Sequence, residues 1–138
     1  LLQRTQQLVK HLKMDSLKQP SHLKIASKDE EFLKKLVNAI EQNIADPELN
    51  VDKLCDCLAT SHSYLYRKVK NLTGENINEF IRNTRIKRAA QLLKANRFSV
   101  TETMYEVGFS SHSYFSKCFK SVYKTSPREF AKSNGFSS

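Results

Sequence analysis

An internal repeat constrains the fold of this chain more than any other feature of the sequence. Residues 61–80 (SHSYLYRKVKNLTGENINEF) align with residues 111–130 (SHSYFSKCFKSVYKTSPREF) at a constant offset of 50. The segments just upstream match at an offset of 49, which pairs Val51, Leu54 and Leu58 with Val100, Thr103 and Val107. One extra residue therefore falls in the turn of the second copy, near 109–111. A chain that repeats a segment in this way is expected to build the same supersecondary unit twice.

Each copy is predicted to contain a short helix, a tight turn and a longer helix. Asn50 and Ser99 are suitable N-caps for the short helices, and Gly74 is a suitable stop for the first longer helix. The longer helices begin near His62 and His112, and each has an apolar side and a side of small and basic residues. The apolar sides are formed by Leu65, Val69 and Leu72 in the first copy and by Phe115, Phe119 and Val122 in the second. This layout is typical of a helix-turn-helix, whose second helix packs by one face and offers the other to the major groove. The predicted units span about 50–74 and 99–124.

The alternative is a duplicated helical hairpin without a ligand, as in an α-solenoid. Two copies are few for a solenoid, and the outward residues are hydrogen-bonding and cationic, which favours DNA reading. We call the longer helices of the two units the reading helices. A helix of about 20 residues between the units would be roughly 30 Å long, close to the ~34 Å of one DNA turn. We therefore expect the reading helices to enter successive major-groove segments of one duplex.

The remaining segments also predict helices. Asn76 and Glu79 would start the joining helix over about 76–95, whose apolar residues cover more than one face, as in a helix packed between two partners. Ser27 and Glu30 form a capping-box pattern before an apolar stripe, and Ser126-Pro127-Arg128-Glu129 marks the start of a last helix. With only three Gly and three Pro in 138 residues, the sequence predicts an all-α domain of seven helices.

Residues 1–28 are predicted to be a connector outside this domain, which would span 29–138. The spacing of apolar residues predicts an amphipathic helix over 1–14, and residues 15–28, which include Pro20, have the composition of a linker. No stretch is long and apolar enough to span a membrane, and no signal-peptide pattern is present. The first residue is Leu rather than Met, so we expect a longer parent protein.

The charge distribution and the positions of the histidines and cysteines limit the classes of function that the sequence supports. The net charge of +9 is uneven: residues 29–56 hold eight acids against three Lys and Arg, whereas 57–138 hold fourteen Lys and Arg against five acids. Clustered cations suit a polyanion such as DNA. The equivalent His62 and His112 do not converge with an acid and a nucleophile, so we predict no enzyme activity. An odd number of cysteines (Cys55, Cys57 and Cys118) without a secretory signal predicts the cytoplasm. Cys55-x-Cys57 lacks the spacing and the second ligand pair of a zinc site, so we predict buried or half-buried thiols, with no metal and no cofactor.

The chain resembles the DNA-binding domain of the AraC/XylS family of bacterial transcription regulators. The resemblance covers about residues 29–134 and is carried by HSYLYRKVKNLTG, NEFIRNTRIKRAAQLL and EVGFSSHSYFSKCFKSVYKTSPREF. It implies two helix-turn-helix subdomains joined by a long linker helix. The first reading helix would present His62, Ser63, Tyr66 and Arg67 to bases, and the second His112, Ser113, Ser116 and Lys117. Arg67 is the strongest choice, because a guanidinium can grip guanine O6 and N7. The expected phosphate anchors are Lys70, Arg82 and Lys120.

The chain departs from the family pattern at a few positions. Thr103-Met104 stands where the family usually has Ile-Ala, Val69 replaces a usual Phe, and Lys117 replaces a common Arg. The first two changes would alter packing within a unit, and Lys117 would lose bidentate geometry.

The N-terminal segment implies a wider context. Residues 1–28 with ASKDEEFLKKL resemble the connector of hybrid two-component regulators, in which phosphorylation of an upstream receiver domain promotes dimerisation on repeated sites. Double-stranded DNA is the expected partner, and RNA polymerase is a further candidate. The alternative function is a helical protein-interaction module that binds an acidic partner.

Overall fold

The computed structural model describes the backbone of residues 20–135 and the side chains of residues 27–133. Within that range the chain forms seven helices and no strand, which confirms the predicted all-α, seven-helix fold. The helices are α1 (Pro20–Gln42), α2 (Val51–Leu58), α3 (His62–Thr73), α4 (Ile77–Lys94), α5 (Val100–Glu106), α6 (His112–Tyr123) and α7 (Pro127–Gly135). The predicted connector helix over 1–14 lies outside the described residues. None of the described helices has the length and apolar character that a bilayer crossing requires.

Helix α1 begins earlier than the sequence indicated. The prediction of a linker over 15–28 is wrong for residues 20–28, which are helical, and Ser27 lies inside α1, where it cannot act as an N-cap. Proline fits the first position of a helix, because its fixed φ is helical and its missing N–H would have no partner there. Residues 21–42 contain neither Gly nor Pro, so no residue after Pro20 interrupts the helix. The domain boundary at 28/29 stays a prediction.

The other predicted helix caps are present. Ser99 and Glu102 form a reciprocal capping box at the start of α5, with bonds of 3.1 and 2.9 Å. Asn76 and Glu79 make the same pair of bonds before α4, at 2.9 and 3.2 Å. Gly74 ends α3 in the left-handed conformation with φ +79°. These local signals depend on residues within four positions of each other, which is why the sequence could predict them.

The chain divides into two compact units. The N-terminal unit comprises residues 20–42 and Asn50–Phe80, and the C-terminal unit comprises Asn43–Leu49 and residues 81–135. Helix α4 contributes buried residues to both: Ile77 and Phe80 belong to the first unit, whereas Ile86 and Leu93 belong to the second. This sharing explains why apolar residues cover more than one face of α4. The core of the C-terminal unit is formed by Ile86, Ala89, Ala90, Leu93, Met104, Val107, Phe109, Phe115, Cys118, Phe119 and Phe130.

A buried arginine joins two separate segments of the C-terminal unit by hydrogen bonds. Arg85 on α4 donates from Nη1 to the carbonyl of Gly108 (2.9 Å) and from Nη2 to the carbonyl of Asp46 (2.8 Å). Burial lowers the pKa of the Arg85 guanidinium, and the charge of Asp46 opposes that shift. Gly108 has φ +86°, and a Cβ at this position would lie 2.4 Å from the Ile44 carbonyl oxygen and 2.7 Å from Arg85 Nη1. Arg85 therefore ties residues 43–49 to the turn of the second helix-turn-helix.

The unusual Thr103-Met104 pair is fully buried. Both side chains are inaccessible, and Thr103 Oγ1 has no hydrogen-bond partner among the described residues. Because a buried hydroxyl without a partner costs free energy, this departure from the family pattern is expected to reduce stability.

The cysteines are three free thiols. Cys55 and Cys118 are buried, as predicted, but the prediction is wrong for Cys57, which lies on the outer side of α2 and is exposed. Burial raises the pKa of the Cys55 thiol, and the nearby carboxylates of Asp52 and Asp56 raise it further. A raised pKa keeps the Cys55 side chain in its neutral form, which behaves as a small apolar core residue.

Candidate nucleic-acid interface

The first reading helix, α3, buries one side and exposes the other. Its N-cap is Ser61, whose Oγ accepts from the backbone N–H of Tyr64 (3.2 Å). Leu65 and Val69 are fully buried in the N-terminal unit, as the apolar spacing predicted. The four residues predicted to contact bases are all exposed: His62, Ser63, Tyr66 and Arg67.

Contacts within the unit orient two of these side chains. His62 Nε2 lies 2.5 Å from Asp52 Oδ1 on α2. The Arg67 guanidinium carbon lies 5.6 Å from the ring centroid of Tyr64, and that ring meets Phe32 of α1 edge-on at 5.9 Å. A guanidinium supported by an aromatic ring loses less conformational freedom when it forms a bidentate hydrogen bond. The arrangement therefore preorganises Arg67 at the exposed surface of α3.

The second reading helix, α6, has the same organisation. Ser111 Oγ accepts from the backbone N–H of Tyr114 (3.3 Å), and Phe115 and Phe119 are fully buried in the C-terminal unit. Tyr114 packs on Phe109, with ring centroids 5.7 Å apart. Of the predicted base-contacting residues, three are exposed and the last is partly buried: His112, Ser113, Lys117 and Ser116.

The histidine that starts each reading helix contacts the preceding helix at equivalent positions. Asp52 contacts His62 in the first unit. In the second unit Thr101 contacts His112, with Thr101 Oγ1 and His112 Nε2 3.4 Å apart. Asp52 and Thr101 correspond at the offset of 49. Sequence reasoning missed both residues, although the repeat alignment places each of them second in its short helix. The histidine meets a carboxylate at short distance in the first unit, and a hydroxyl at longer distance in the second.

The predicted phosphate anchors differ in their surroundings. Lys70 is exposed, and its Nζ donates to the carbonyl of Gly74 (3.0 Å), so it completes the C-terminal end of α3. Lys120 is exposed on α6, and Arg82 is partly buried on α4. A neighbouring cation, Lys68, instead turns inward and forms an ion pair with the buried Asp29 (2.5 Å). Lys68 is therefore paired within the N-terminal unit, and the other cations of α3 provide the positive charge of its exposed surface.

The fold and these two surfaces together define a helix-turn-helix DNA-binding domain. A family model described as a helix-turn-helix domain matches residues 54–133. The chain is 40% identical over 111 residues to histidine kinase P4 of Formosa agariphila, a match that covers 80% of this chain and 8% of that protein. The chain therefore spans a small part of that relative's length.

The solved structures that are similar to the chain include two bacterial regulators. One is an AraC-type DNA-binding transcriptional regulator from Chromobacterium violaceum, with a TM-score of 0.71, 27% identity, and coverage of 78% of this chain and 96% of that chain. The other is the C-terminal domain of the two-component response regulator yesN from Fusobacterium nucleatum, with a TM-score of 0.62, 27% identity, and coverage of 71% and 96%. The chain therefore belongs to the AraC-type family of helix-turn-helix transcription regulators, whose domains bind DNA.

Proposed function

We propose that the chain binds double-stranded DNA sequence-specifically, with each reading helix in a major-groove segment of its own. One observation carries this proposal: two equivalent helices, α3 and α6, each bury an apolar side in their unit and expose small polar and cationic side chains from their first two turns. The base-contacting residues are His62, Ser63, Tyr66, Arg67, His112, Ser113, Ser116 and Lys117, and the phosphate anchors are Lys70, Arg82 and Lys120.

Arg67 makes the most discriminating base contact in this proposal. The Tyr64 ring supports its guanidinium, and a bidentate pair with guanine is worth about 1–3 kcal/mol against the wrong base. Lysine keeps the charge but lacks the planar fork. Arg67→Lys should therefore retain binding to random duplex while its preference for the selected site falls by roughly ten-fold or more.

The experiment begins with selection of sites from a randomised duplex pool. Two short boxes about one helical turn apart support reading by both helices. Affinity for the selected duplex should fall steeply between about 50 and 200 mM salt. Arg88→Lys is the matched control, because Arg88 is an exposed arginine of α4 outside the reading helices. Equal affinity for selected and random duplexes at every salt concentration would refute specific reading and favour an acidic protein partner instead.

We also propose that the chain is the output domain of a signal-responsive two-component regulator. The likeness to the C-terminal domain of a response regulator and to a histidine kinase supports this context. In it, phosphorylation of an upstream receiver domain would promote dimerisation on repeated sites, and RNA polymerase would be a further partner. The test is DNA affinity of the full-length protein with and without phosphorylation of its receiver. Equal affinity and equal stoichiometry in both states would contradict the proposal.

A further inference from the structure

A cavity of about 450 Å3 opens on the C-terminal unit where the second helix-turn-helix begins. Leu93 and Val100 contribute to its apolar floor. Its rim carries three exposed cations, Arg97, Arg128 and Lys132. None of the described residues that line it is acidic. The cavity therefore combines a concentrated positive charge with an apolar base.

The position of this cavity within the helix-turn-helix suggests its ligand. Ser99, the N-cap of α5, and Val100, the first residue of that helix, both line the cavity. The first helix of a helix-turn-helix crosses the DNA backbone while the second reads the bases. Thr101, one residue further on, contacts His112 at the start of the reading helix. The start of α5 is therefore where a sugar–phosphate chain is expected beside the bases that α6 would read.

The internal repeat shows that only the second copy has a net positive charge at these three positions. At the offsets of 49 before the turn and 50 after it, Arg97 pairs with Glu48, Arg128 with Asn78 and Lys132 with Arg82. The three positions sum to +3 in the second copy and to zero in the first. Lys132 is moreover the counterpart of Arg82, which the sequence predicted to anchor a phosphate.

We propose that Arg97, Arg128 and Lys132 form a phosphate corner, which binds the DNA backbone next to the bases read by α6. This inference rests on the proposed function and adds that backbone affinity is concentrated in the second helix-turn-helix. Guanidinium and ammonium groups form charge-assisted hydrogen bonds to phosphate oxygens. The apolar floor suits the deoxyribose carbons between consecutive phosphates. The phosphate corner provides affinity without sequence preference, whereas the reading helices provide the preference.

The first test measures the salt dependence of duplex binding by the full chain. The variant R97Q/R128Q/K132Q should lose affinity for selected and random duplexes by about the same factor, on the order of 100-fold at about 0.15 M salt. The slope of log affinity against log salt should become shallower by roughly 2.7, or about 0.9 for each lost phosphate contact. The matched control K28Q/K34Q/K35Q removes the same charge from exposed positions of α1 and should change the slope by less than about one.

The second test locates the contact. Neutral methylphosphonate linkages beside the box read by α6 should weaken binding of the wild-type chain and leave binding of the triple variant unchanged. Circular dichroism verifies that both variants fold. A folded triple variant with the wild-type slope, or with the wild-type sensitivity to methylphosphonates, overturns the phosphate corner. If instead the wild-type chain does not distinguish selected from random duplex while the triple variant still loses slope, the proposed specific reading fails and the phosphate corner stands.

Discussion

Replacement of Gly108 by alanine tests the packing at the turn of the second helix-turn-helix, and Gly74 provides a matched control. Both glycines have left-handed backbones, with φ +86° at Gly108 and φ +79° at Gly74. A Cβ at Gly74 would meet nothing within 4 Å, whereas a Cβ at Gly108 would meet the Ile44 carbonyl oxygen at 2.4 Å and Arg85 Nη1 at 2.7 Å. The two substitutions therefore share a backbone cost and differ in the space available.

The expected magnitudes follow from these contacts. Left-handed alanine costs about 1–2 kcal/mol at either position. At Gly108 the Cβ also displaces the Arg85 guanidinium from a carbonyl bond of 2.9 Å, and a hydrogen bond to a charged group contributes about 1.5–3 kcal/mol. Gly108→Ala should therefore reduce the free energy of unfolding by about 2.5–5 kcal/mol, against about 1–2 kcal/mol for Gly74→Ala.

The assay is urea-induced unfolding followed by far-ultraviolet circular dichroism. Native-state hydrogen exchange should show the loss of protection in the C-terminal unit for Gly108→Ala and near the end of α3 for Gly74→Ala. In an Arg85→Met background the extra cost of Gly108→Ala should shrink, because the guanidinium is no longer present to be displaced. Equal destabilisation by the two alanine substitutions in the wild-type background would refute the packing argument.

Three further predictions concern buried and capping groups. Thr103→Val should raise the free energy of unfolding by about 1 kcal/mol in urea titrations, because it removes a buried hydroxyl that lacks a described partner; a decrease would contradict this. Hydrogen bonds from Ser99 lower the pKa of Glu102, so this carboxylate stabilises the fold above its ordinary value of 4.5 and the contribution is lost as pH falls through the lower folded value. Glu102→Gln should therefore show a smaller loss of stability on acidification, and an unchanged pH profile would count against the capping box. Lys68→Met leaves the buried Asp29 without its cation and should cost about 1–3 kcal/mol in thermal or urea unfolding, whereas Lys68→Arg should recover most of it.

Sequence patterns predicted the local structure of this domain well. The caps at Asn50, Asn76 and Ser99 and the stop at Gly74 were predicted, because each depends on hydrogen bonds between near neighbours in the chain. The burial of Leu65 and Phe115 followed from helical spacing in the same way. The start of α1 was predicted wrongly, because a capping pattern at Ser27 was given more weight than the compatibility of Pro20 with a first helical turn.

Other residues could not be assigned from local pattern. Arg85 interrupts an apolar stripe of α4, which signals an unusual position but does not identify the carbonyls of Asp46 and Gly108 as its acceptors. Lys68 reads as one more basic residue of the reading helix, yet it pairs with Asp29 on α1. Each of these contacts joins segments that are distant in the chain.

The sequence by itself determined the duplicated helix-turn-helix, its helix ends and its family, since these follow from near-neighbour hydrogen bonds and from the repeat. Only the tertiary structure decided which cations remain at the surface and which stabilise the interior. In the structure Lys68 points inward to Asp29, and Arg85 is buried. Three other cations, Arg97, Arg128 and Lys132, lie around one cavity. The physical reason is that the free energy of a charged group depends on the distant segments that desolvate it or bond to it.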